Sequence, residues 1–253
     1  MSILTFHSVE NKFHPGINNY SPHRFENMLK NLKAEGFCFR SLSDYLNNSH
    51  PDNIAVTFDD GYESFALNVI PVLQELNIPA SLFIPFNYMG RKADWDFASK
   101  IFNNNHLSRE QLIEIASHNI EIGSHGLSHT SLTDLSPRML EIELRHSKTG
   151  LEDIIGRPVK YISYPFGRYN AEIENRCADS GYQNGFSLSY LTRTKYNFTH
   201  PRFAVYATDT TYSVIKKIKA GLLQNIEKLK GAVINSYAGG TIILNRLRRQ
   251  DNP

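Results

Sequence analysis

Ile54-Ala55-Val56-Thr57-Phe58-Asp59-Asp60-Gly61 is an apolar run that ends in two adjacent carboxylates and a glycine. A short run rich in β-branched and aromatic residues, closed by a turn signal, reads as a buried strand. Working outward, similar runs recur at Ile3–Phe6, Ala80–Ile84, Ile120–Gly123, Tyr161–Tyr164 and Gly185–Leu188. Helical patterns lie between them. Ser21-Pro22 opens one that stops near Gly36, and Ser108 with Gln111 three residues on reads as a capping box. Ser136-Pro137 opens another that Gly156 closes, and a fourth follows Tyr169-Asn170. This alternation implies right-handed βαβ units and a parallel α/β sheet. Six or seven such units fit a closed or nearly closed barrel better than an open sheet.

With 253 residues, 41% apolar and 21% charged, the chain is expected to fold as one domain over 1–253. Residues 225–253 form a C-terminal tail, with a strand-like run at 239–244 and a basic end, Arg246-Leu247-Arg248-Arg249. A net charge of +2 gives no argument for nucleic acid or for a membrane surface. No apolar run approaches the ~20 residues a bilayer span needs. The start, Met1-Ser2-Ile3-Leu4-Thr5-Phe6-His7, has no basic region followed by a long apolar one, so cytoplasmic residence is the expectation. Cys38 and Cys177 are far apart and form no CxxC pair, which argues against a disulfide framework. Nothing in the composition speaks to oligomeric state.

Placement carries the chemistry. His7, Asp59-Asp60, His125 and Pro165-Phe166-Gly167 each fall just past the C-terminal end of an expected strand, the rim where parallel barrels build their sites. Ser124-His125-Gly126-Leu127-Ser128-His129 sets two imidazoles four residues apart. Two imidazoles and a carboxylate are what a hydrolytic Zn²⁺ site with open positions needs, and the spare carboxylate supplies a base. Strand alternation would turn Asp59 and Asp60 to opposite faces and so give them different tasks. The plainer readings are a strand-to-helix turn with a capping carboxylate and a chance His-x-x-x-His. The two clusters together, with the strand-like run before the histidines, favour a metal site.

Thr57–Gly61, Ser124–His129 followed by Leu132, and Ser163-Tyr164-Pro165-Phe166-Gly167 resemble, in order and setting, the three leading motifs of the NodB-type polysaccharide deacetylases, carbohydrate esterase family 4. The resemblance covers roughly residues 1–210. It implies a distorted (β/α)7 TIM-like barrel that removes the N-acetyl group of an amino sugar in a polysaccharide or glycoconjugate. It assigns Asp60, His125 and His129 to a divalent metal, Zn²⁺ or else Co²⁺, Ni²⁺ or Fe²⁺. Asp59 becomes the general base toward the attacking water, and a backbone N–H near Phe166 helps hold the oxyanion.

Two departures from the family pattern shape the remaining assignments. Where the common layout has a histidine after the last strand, this chain has Ile243-Leu244-Asn245. Leu4-Thr5-Phe6-His7-Ser8-Val9 instead resembles the start of the rearranged branch that includes poly-N-acetylglucosamine deacetylases, which makes His7 the general acid. The third motif's leading arginine is also missing, with Lys160 standing five residues before Pro165. Arg202, in His200-Pro201-Arg202-Phe203, resembles a strand-borne arginine of that branch and is expected to steady Asp59. The family's Asp- and Trp-bearing fourth motif has no counterpart, since Trp95 lies elsewhere in the chain. Competing readings are hydrolysis of another non-peptide C–N bond (imide, ureide or formamide) and a sugar-binding module without catalysis. Asn87–His106 reads as a polar rim loop that could wall a substrate groove.

Overall fold

The computed structural model describes residues 2–11, 17–48, 50–94, 104–188 and 198–219. Its strands are β1 (Ser2–Phe6), β2 (Ser8–Val9), β3 (Asn19–Tyr20), β4 (Cys38–Phe39), β5 (Asn53–Phe58), β6 (Ala80–Ile84), β7 (Ile120–Ser124), β8 (Tyr161–Ser163), β9 (Asn184–Ser187), β10 (Thr199–Pro201) and β11 (Phe203–Ala204). The main sheet runs β10-β9-β8-β7-β6-β5-β1-β11, with β4 beside the start of β5, and every pairing is parallel. Parallel pairing leaves both faces to be covered, which is why these strands read as nearly continuous apolar runs.

The two ends of that order are one segment. Residues 199–201 pair with β9 and residues 203–204 pair with β1, so the chain changes partner at Arg202. The Arg202 N–H donates to Ser187 O at 2.9 Å on one side, and the Val205 N–H donates to Thr5 O at 2.8 Å on the other. The ring therefore closes through a split seventh strand, giving the expected α/β barrel. A strand around Arg202 was expected only through the family resemblance, and β4 and the small β2–β3 ladder were not among the expected elements.

Alternation along the strands sorts the core. Leu4, Phe6, Ile54, Val56 and Phe58 join the large apolar cluster under the helices, while Ile3, Ala55, Phe83, Tyr161 and Phe186 form a smaller one within the ring. Leu42 and Tyr45 of α2 (Leu42–Asn47) join that inner cluster, and the Glu121 carboxylate accepts the Leu42 and Ser43 N–H groups at the start of this helix. A short helix thus seals the end of the barrel opposite the rim.

The other helices are α1 (Pro22–Ala34), α3 (Ile70–Leu76), α4 (Arg109–Ala116), α5 (Pro137–Ile155), α6 (Ala171–Asp179) and α7 (Thr211–Lys219). A π-helical turn, Phe65–Val69, runs directly into α3. Ser108 and Gln111 form the capping box, Ser136 and Asn170 cap α5 and α6, and Gly156 ends α5 at φ 66°. In the segment expected as a rim loop, a 3₁₀ turn at Phe86–Tyr88 is followed by antiparallel bridges Lys92–Asn105 and Tyr62–His106. Trp95 and the rest of 95–103, Asn245, and the 225–253 tail lie outside the described residues. Cys38 is exposed and Cys177 buried, both as free thiols. No helix among the described residues is long and apolar enough to cross a membrane.

Candidate metal centre and its base

The site is built from four rim segments. The Asp59 N–H extends the β1–β5 ladder by donating to Phe6 O at 3.0 Å, and Asp60 then turns into the left-handed region at φ 71°. Strand alternation is not what separates the two carboxylates. The strand ends at Phe58, and both carboxylates stay buried at 2% and 6% exposure, divided by the left-handed turn instead. Gly61, also at positive φ, has Ile84 side-chain carbons 3.3 Å from where a Cβ would stand, so the turn leaves little room for a side chain.

Asp60 meets both histidines. Its Oδ1 lies 3.4 Å from His125 Nε2 and 3.2 Å from His129 Nε2. Donor atoms from Asp60, His125 and His129 all fall within 4.8 Å of one another, and all three residues are buried. His125 Nδ1 sits 2.8 Å from Ser163 O, so Nδ1–H donates to the carbonyl and the Nε2 lone pair faces the centre. Two imidazole nitrogens and one carboxylate oxygen, with one imidazole oriented by a backbone carbonyl, fit a first-row divalent cation. Phe166, at φ 59°, sets its ring edge-on to His129 with centroids 4.9 Å apart.

Asp59 faces Arg202 instead. The guanidinium grips it with both arms, Nη1 to Oδ1 at 2.8 Å and Nη2 to Oδ2 at 2.6 Å. The same arms reach Thr57 Oγ1 at 3.1 Å and Ser163 Oγ at 2.7 Å, and Ser163 Oγ donates to Asp59 Oδ2 at 3.1 Å. Arg202 is 1% exposed, and its Cζ lies 5.1 Å from the Phe83 ring centroid. Lys160, by contrast, points to solvent.

Burial alone would raise the Asp59 carboxyl, but Arg202 and then His125 outweigh it and hold the group below the ordinary carboxylate range. Asp60 is likewise opposed by burial, yet its bonds to His125 and His129 keep it well below that range. His7, half-buried just past β1, adds a smaller pull on both carboxyls. Both aspartates are therefore ionised at neutral pH.

Sequence reasoning quoted Ser163 within a motif but gave it no task. It touches three site residues, through its carbonyl to His125 and its hydroxyl to Asp59 and Arg202. Its one signal was position, the last residue of a strand on the rim. Thr57, the next-to-last residue of β5, is bonded to both Thr5 and Arg202 and likewise stood within a quoted motif without a task.

The sequence profile described as "Polysaccharide deacetylase" matches residues 47–185, more than half of the chain. The chain belongs to the polysaccharide deacetylase family. It is 33% identical over 132 residues to the Bacillus subtilis (strain 168) protein YxkH, named as a polysaccharide deacetylase; the match covers 52% of this chain and 43% of YxkH. The chain spans about half the length, or less, of the curated relatives it matches. Among solved structures, IcaB from Ammonifex degensii superposes with a TM-score of 0.73 at 24% identity, covering 87% of this chain and 97% of IcaB. BC0361, a polysaccharide deacetylase from Bacillus cereus, gives 0.72 at 24% identity, covering 86% and 68%. Both likenesses are likenesses of fold.

Proposed function

We propose that the chain is a metal-dependent N-deacetylase that hydrolyses the acetamide of an N-acetylated sugar in a polysaccharide or glycoconjugate. One observation carries this reading: a buried Asp60/His125/His129 donor set beside a second carboxylate, Asp59, that a bidentate arginine keeps ionised. A divalent cation, Zn²⁺ or else Co²⁺, Ni²⁺ or Fe²⁺ according to availability, held by those three residues supplies Lewis acidity toward oxygen ligands. Asp59 is the general base. Its oxygens are oriented by Arg202, and a carboxylate offers about four acceptor positions, so it can still take a proton from water. His7 is the general acid, delivering a proton to the leaving nitrogen from the end of β1, the strand beside the one that carries Asp59. A backbone N–H at the Phe166 turn donates to the oxygen that gains charge. Arg202 acts through Asp59, as a positioning residue.

The test is acetate release from chitooligosaccharides by the metal-loaded chain. Removing a general base or acid typically costs ~10²–10⁴-fold. Asp59→Ala should lose at least that much while retaining bound metal, and His7→Ala should fall within the range. No release from any acetylated sugar by metal-loaded protein would overturn the reading and favour another C–N bond.

A further inference from the structure

The loop joining His125 to His129 has to hold two Nε2 atoms toward one point, yet its backbone is not self-supporting. Gly126 stands at φ 79° and His129 at φ 51°, a conformation that persists in a non-glycine residue only when its surroundings enforce it. The Phe86 and Asn87 N–H groups hold Gly126 O and Leu127 O on one side, and a face of α5 encloses the loop on another. Glu143, 4% exposed, accepts the Leu127 N–H at 2.7 Å and the Ser128 N–H at 3.0 Å through Oε2, while its Oε1 takes the Ser128 hydroxyl. One turn along α5, Ser147 accepts from Ser124 Oγ at 3.0 Å, and Ser124 Oγ accepts the Gly126 N–H at 3.1 Å. A Cβ on Gly126 would stand 3.3 Å from Glu143 Oε2, a measure of how closely helix and loop approach.

The carboxylate has no cationic side chain against it among the described residues. Among the described residues its hydrogen bonds come from the loop's own donors. The helix beneath is anchored by the Ser136 cap and by buried Leu140, Leu144 and Leu151, so the grip is rigid.

We propose that Glu143 is a positioning residue for the cation site: it fixes the 125–129 peptide so that both imidazoles converge, and it adds a fixed negative charge behind them. The proposal rests on the reading of Asp60, His125 and His129 as metal ligands. Outer partners of metal ligands typically carry ~10–100-fold in metal affinity. Glu143→Ala should therefore weaken Zn²⁺ binding by about that factor in competition with a chromophoric chelator, and should alter the Co²⁺ d–d absorption spectrum. Glu143→Gln keeps the shape and one acceptor but not the charge, and should fall between wild type and alanine.

Glu152, on the same helix, separates a specific role from a merely structural one. It accepts the Val159 N–H at 2.8 Å and pairs with Lys148 away from the loop, so Glu152→Gln should lower Tm and leave Zn²⁺ affinity alone. If Glu143→Ala does not fold, Glu143→Gln and Ser128→Ala, which drops a single hydroxyl, carry the test. Zn²⁺ affinities within twofold of wild type and an unchanged Co²⁺ spectrum in the folded variants would overturn the proposal alone. Failure of the wild-type chain to bind either ion would overturn it together with the metal reading beneath it.

Discussion

The contact between Arg202 and Asp59 shows what a single side chain can carry. Both partners are almost wholly buried, so neither charge is tolerable without the other. The planar guanidinium matches the carboxylate with two parallel bonds, and the same two Nη groups also donate to Thr57 and Ser163. A lysine ammonium reproduces the charge but not the fork. Arg202→Ala leaves an uncompensated buried carboxylate, and the expected loss of unfolding free energy is ~3–5 kcal/mol. Arg202→Lys should recover only part of that. Urea titration of the two variants beside wild type checks both statements; indistinguishable midpoints would mean that the pair contributes nothing.

At the scale of elements, α5 links fold and site. Gly150 lies within it, where alanine would ordinarily gain up to ~1 kcal/mol in helix propensity. Here a Cβ would stand 2.4 Å from two carbons of the Phe86 ring, and overpacking of this kind typically costs ~1–3 kcal/mol. The steric cost wins, so Gly150→Ala is expected to lower Tm. The Phe86 and Asn87 N–H groups also hold Gly126 O and Leu127 O at 3.1 and 2.8 Å, so Zn²⁺ affinity should fall with it. A raised Tm would show that the ring moves aside at little cost. Elements of this kind were legible where periodicity and caps agreed: Ser108/Gln111, Ser136 to Gly156 and the Ala80–Ile84 strand needed no tertiary context. The closing strand was not, because its three- and two-residue halves owe their pairing to β9 and β1 rather than to any local pattern. The π-helical turn at Phe65–Val69 has no hydrophobic period of its own. Of the site, Asp59, Asp60, His125 and His129 stood out by residue type and spacing. Glu143, in mid-helix, reads from sequence as one more surface acid, and only packing reveals what it holds.

For the molecule as a whole, the cation reading has a thermodynamic consequence. A ligand that binds only the folded chain adds RT ln(1 + [L]/Kd), about 4 kcal/mol at a thousandfold excess over Kd. Tm should rise with added Zn²⁺, fall on chelation, and cease to depend on Zn²⁺ in Asp60→Ala; a Tm indifferent to both treatments in the wild-type chain would count against the site. The seam at Arg202 carries a different kind of consequence, one of order in time. Arg202 lies 143 residues after the carboxylate it neutralises. A ribosome delivers the chain from its amino end, so β1 and β5 to β9 are all synthesised before their ring can shut. Until then Asp59 has no counter-ion to be buried with, and water must keep its place in the barrel mouth. The closing strand, the last among the described residues, thus shuts the ring and brings Asp59 its counter-ion in the same act.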